Sequence, residues 1–65
     1  MKPLVGLDTP ALVEIAAAHG QSAFRGRQLS TWIYKKAVSE FDAMRDLPGP
    51  FRAALAENFV VNPLA

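Results

Sequence analysis

Arg27, Thr31, Tyr34 and Lys35 fall on one face of a single predicted helix. At about 100° per residue, positions four and seven or eight apart stand above one another. One surface therefore carries a cation, a hydroxyl, a phenol ring and a second cation, with Ser30 adjacent. These types suit a polyanion: Arg27 and Lys35 to meet phosphates, Thr31 to hydrogen-bond and Tyr34 to stack on an unpaired base. A solvated helix face, with Tyr34 lying against a neighbouring helix, accounts for the same residues, because one basic face on a near-neutral domain is common.

Other chemistry is poorly provided for. The 65 residues include no cysteine, which excludes disulfides, thiolate zinc or iron–sulfur ligation and a cysteine nucleophile. His19 is the only histidine and cannot build a histidine metal site alone; it is expected to serve the C-terminus of its own helix. Asp8, Glu14, Glu40, Asp42, Asp46 and Glu57 form no evident catalytic pair, and Gly20, Gly26 and Gly49 lack the spacing of a phosphate loop. No catalytic residue is therefore expected within this stretch. The net charge of +1, from seven Lys/Arg against six Asp/Glu, leaves any RNA contact to a local basic face. No apolar run reaches the length of a membrane span. Asp8, Pro10 and Glu14 interrupt the apolar region that a secretory signal starting at Met1 would need. A cytoplasmic location is the expectation, since a secreted domain of this size often carries disulfides.

The elements that must position the basic face can be read from periodicity and punctuation. A first helix is expected over residues 10–19, capped by Asp8 or Thr9, with Pro10 in its first turn and Gly20 as the left-handed residue beyond its end. A second is expected over 23–37, with Ser22 as N-cap and Lys35 and Lys36 in the last turn. Leu29, Trp32 and Ile33 form its apolar stripe, with Phe24 near the start. Phe41 and Met44 are three apart, as in one tight turn that plugs the core. A third helix is expected over 47–58, with Asp46 as candidate cap and Phe51, Ala54 and Leu55 on one face. Phe59-Val60-Val61 reads as β-like with no partner strand in the chain, and Asn62-Pro63 ends it.

The expected fold class is all-α: a compact three-helix bundle with one extra short helical turn and an extended C-terminal tail over 59–65. Residues 1–65 form a single domain, and the end at Ala65, just past the last helix, falls where a domain boundary is expected. Hydrophobic residues at 51% suffice for a core, though one of this size supplies only about 3–5 kcal/mol of net stability. Structural roles are expected for Leu29, Trp32, Phe41, Met44 and Leu55. Arg25 flanks the buried stripe, and its stem is expected to lie over Trp32 with its head group reaching Glu40 or Asp42.

The string Phe24-Arg25-Gly26-Arg27-Gln28-Leu29, followed by Trp32-Ile33-Tyr34-Lys35-Lys36, then Phe41, Met44, Asp46-Leu47-Pro48, Leu55 and Phe59, resembles the N-terminal region of the RlmN/Cfr family of RNA methyltransferases. The likeness runs from Leu7 to Val61. Ala23 departs from a frequent Pro, and Arg45 from a frequent Ser or Thr. The resemblance implies a parent radical S-adenosylmethionine enzyme that methylates adenosine carbons of ribosomal or transfer RNA. Its [4Fe-4S] cluster and S-adenosylmethionine would belong to a following catalytic domain, with no cofactor in this chain. The implied partners are RNA and that catalytic domain, the domain itself being monomeric. The competing readings are a structural module packed on the catalytic barrel without RNA contact and a stand-alone helical nucleic-acid-binding or protein-interaction module.

Overall fold

A computed structural model describes residues 2–63. In chain order it contains β1 (Lys2–Pro3), α1 (Thr9–Ala18), α2 (Ala23–Tyr34), a 3-10 turn at Phe41–Ala43, α3 (Gly49–Asn58) and β2 (Phe59–Val60). The three helices enclose one core, as expected for the all-α class.

Asp8 caps α1, its Oδ1 accepting the Ala11 N–H at 3.1 Å. Gly20, at φ 76°, closes the other end. The Gln21 N–H donates to Ala16 O at 2.9 Å and the Gly20 N–H to Ala17 O at 3.0 Å, so carbonyls freed at the helix end are paired. His19 Nδ1 lies 2.8 Å from Ile15 O, and its ring centroid is 5.8 Å from that of Phe51, which ties the end of α1 to α3.

Helix α2 stops three residues before the expected end, at Tyr34, with Lys35 at the C-cap. Ala37 takes a left-handed backbone, φ 52°, and the Val38 N–H returns to Trp32 O at 3.1 Å. Such a backbone costs a non-glycine residue about 1–2 kcal/mol. In return the chain reverses and packs Val38 against the core. Ser22 occupies the N-cap position, but its side chain makes no capping bond. The expected start of α3 at Leu47 is also corrected: the helix begins at Gly49, and Asp46 does not cap it. A residue preceding proline is disfavoured in the helical region. Leu47 instead enters the core at 2% exposure, next to the buried Phe41 and Met44 of the tight turn.

Residues 59–61 have a partner, contrary to expectation. Strands β1 and β2 pair in parallel, Lys2 opposite Phe59 and Pro3 opposite Val60. The Leu4 and Val5 N–H groups extend the pairing to Val60 O at 2.8 Å and Val61 O at 3.0 Å. The expected tail is thus strand through Val60, and its last two residues, 64 and 65, lie outside the described residues. Leu4 and Val61 join Leu12, Ala16, Leu29, Ile33, Phe51 and Leu55 in the core.

Gly26 sets the approach of α1 to α2. A Cβ there would lie 2.5 Å from Val13 Cα, so only glycine permits this spacing. Thr9 Oγ1 and Ser30 Oγ, 2.9 Å apart, bridge the same two helices.

Candidate functional site

Helix α2 buries Gly26, Leu29 and Ile33, which turns the opposite side outward. Arg27, Thr31 and Lys35 are exposed there. The Arg27 guanidinium and Lys35 ammonium have no hydrogen bond or ion pair among the described residues. Thr31 Oγ1 donates to Arg27 O at 3.1 Å, which uses its proton and leaves its oxygen able to accept.

Tyr34 is placed differently. Its hydroxyl donates to Leu7 O at 2.6 Å and accepts the Gly6 N–H at 2.8 Å, pinning the loop between β1 and α1. The side chain is 48% exposed, but its polar end is occupied, and its neighbour is that loop rather than another helix. Arg25 also departs from expectation. Its Nη1 donates to Gln28 Oε1 at 2.7 Å and to Asp46 O at 3.1 Å, and its guanidinium lies 5.7 Å from the Phe24 ring centroid. Its head group reaches neither Glu40 nor Asp42. Lys36 lies over Trp32, with Nζ 4.4 Å from the ring centroid. Trp32 is partly buried against the core, whereas Leu29, Phe41, Met44 and Leu55 are buried within it. Phe24, expected on the buried stripe, is 54% exposed.

The outward side of α2 thus forms a groove of about 250 Å³, lined by Phe24, Arg27, Gln28, Thr31, Trp32, Lys36 and Asp46. Phe24, Gln28, Lys36 and Asp46 were not singled out for this side from the sequence. The signal was present: Phe24, Gln28 and Trp32 are spaced four apart, a second stripe distinct from Gly26, Leu29 and Ile33. The arrangement offers cations, ring faces and an amide, but no paired acid and base. Among the described residues, no group of three His, Cys, Asp or Glu side chains is placed to hold a metal ion. Among the described residues, no helix is long and apolar enough to cross a membrane.

Fold and surface define the class as a small three-helix domain whose ends are joined by a parallel strand pair. The model of the ribosomal RNA large subunit methyltransferase N-terminal domain matches residues 2–61, and the chain belongs to that family. It is 45% identical over 64 residues to a probable dual-specificity RNA methyltransferase RlmN of Streptococcus agalactiae, covering 97% of this chain and 17% of that protein. It is 49% identical over 55 residues to the dual-specificity RNA methyltransferase RlmN of Desulfotalea psychrophila, covering 85% of this chain and 15% of that protein. Among solved structures, a radical SAM methyltransferase from Sphaerobacter thermophilus superposes with a TM-score of 0.85 at 35% identity, over 97% of this chain and 18% of that one. The chain therefore spans about a sixth of the length of the curated relatives it matches.

Proposed function

We propose that this domain serves a radical S-adenosylmethionine RNA methyltransferase by engaging its RNA substrate through the outward side of α2, in the cytoplasm. The observation that carries this reading is the juxtaposition of the exposed, unpartnered cations Arg27 and Lys35 with exposed aromatic surface on one helix. Cations neutralise phosphates and ring faces accept bases, the combination used by proteins that bind single-stranded RNA. The [4Fe-4S] cluster and S-adenosylmethionine of such an enzyme find no fit here, because the chain has no cysteine to ligate a cluster. No chemical step is assigned to these residues.

The test is RNA binding as a function of salt, for the chain and for its Arg27→Glu variant. Each phosphate contact contributes somewhat less than one unit to the slope of log affinity against log salt. The variant should bind more weakly, with a slope shallower by about one unit. Equal affinity and slope would remove this face from RNA engagement.

A second reading is favoured by a separate observation. Leu7, Ala11, Ile15, Ala18 and Phe59 line a mostly apolar groove between α1 and β2, with Lys2 and Glu14 also on its lining. The relatives the chain matches are about six times longer, which leaves length for a catalytic domain that would cover it. The domain would then pack on that catalytic domain and shape its entrance without touching RNA. The pairing of β2 with β1 removes the unpartnered strand as support for this reading, leaving the groove to carry it.

A further inference from the structure

We infer that the groove between Phe24 and Trp32 takes an unpaired nucleobase, so that the domain prefers single-stranded loops over duplex RNA. This rests on the RNA-engagement reading and adds which part of an RNA the site accepts. Phe24 is 54% exposed, while Gly26, Leu29 and Ile33 supply the buried face of α2. A phenylalanine left in solvent on the same groove as a half-buried tryptophan is apolar surface open to a planar partner. Both rings already carry a cation: Lys36 Nζ lies 4.4 Å from the Trp32 centroid and the Arg25 guanidinium 5.7 Å from that of Phe24. The two cations differ in freedom. Arg25 is held by Gln28 and Asp46 O, whereas Lys36 is exposed with its ammonium on the ring alone.

Lys36 therefore keeps a place that a base can take. An exposed cation–π contact is weak, and the long lysine stem lets the ammonium leave the ring for a phosphate as a base arrives on it. Arg27, on the same groove, meets the neighbouring phosphate. Asp46 lines the groove as well, and its carboxylate repels the backbone while accepting from an exocyclic amine. The base edge, rather than the sugar-phosphate chain, thus faces Asp46. Stacking of this kind needs a base free of its pair, which a continuous duplex does not offer.

Trp32 is the chain's one tryptophan and lines the groove, so tryptophan fluorescence is a probe of that site. The experiment titrates the 65-residue chain with an RNA hairpin bearing an unpaired loop, and with the same stem as a blunt duplex. The hairpin should quench Trp32 and bind more tightly than the duplex. Phe24→Ala should lower hairpin affinity about tenfold while leaving duplex affinity and helical circular dichroism unchanged. Equal binding of both RNAs without quenching would overturn the base site and leave RNA engagement standing. No binding of either RNA would overturn both. Quenching and tight binding by an acidic peptide, with the RNAs inert, would reassign the groove to a protein partner.

Discussion

Tyr34 shows how a residue chosen for one task can be committed to another. Its ring stands on the outward side of α2, but its hydroxyl holds two backbone groups of the Gly6–Leu7 loop. Tyr34→Phe keeps the ring and removes both bonds. The expected loss is about 1 kcal/mol, or roughly 4–8 °C in Tm for a domain of this size, because exposed backbone groups can turn to water instead. Amide exchange at Gly6 should rise most, and RNA affinity should stay unchanged if only the ring contacts a base. A Tm unaltered within a degree would show that the loop is held by other means. Trp32 is the converse case. A tryptophan flanked by Leu29 and Ile33 reads as core, yet it sits at the edge of the core and presents part of its ring to the groove.

Helices α1 and α2 form a tightly approached pair, and that approach depends on an atom that is missing. Gly26 lies against the Val13 backbone, where a Cβ would come within 2.5 Å of Cα and 2.9 Å of N. Backbone cannot yield as a flexible side-chain tip does, so the helices would have to separate. Gly26→Ala raises helix propensity by about 1 kcal/mol in isolation. The overpacking should nevertheless win, with a net loss of about 2 kcal/mol or more and a fall in Tm of roughly 10 °C or more. Thermal unfolding followed by circular dichroism decides the sign: a variant more stable than the parent would mean that the helix pair is plastic. The same separation would weaken the Thr9–Ser30 bridge, leaving the groove side of α2 intact but less firmly mounted.

For the molecule taken whole, the decisive feature is that residues near its two ends pack into one core. Leu4 and Val61 are 0% and 2% exposed, and each directly follows its strand of the parallel β1–β2 pair. A two-stranded pair of two residues each has little stability of its own. It holds because burying these two side chains adds apolar contact that the helices alone lack. Leu4→Ala should cost about 2–5 kcal/mol, comparable with the roughly 3–5 kcal/mol available to a domain of this size. The variant should be largely unfolded at 37 °C, with loss of helical circular dichroism. A cooperative transition within a few degrees of the parent would show that the helices fold without the strands.

Much of this was legible from local chemistry. Asp8, Pro10 and Gly20 mark the limits of α1 because capping and left-handed turns depend on nearby residues alone. The tight turn around Phe41 and Met44 follows from apolar spacing. Arg27, Thr31 and Lys35 fall on one side of α2 because a helix has a known pitch. Contacts between distant residues were not legible. Lys2-Pro3 carries no alternating pattern that points to Phe59, and Gly26 looks like any weak helix residue until Val13 is beside it. The early stop of α2 depends on where Val38 finds the core, and the exposure of Phe24 on what fills the space above α2. Periodicity sorts residues by face, but which face is inward is settled by the neighbours that pack against it, and those come from elsewhere in the chain.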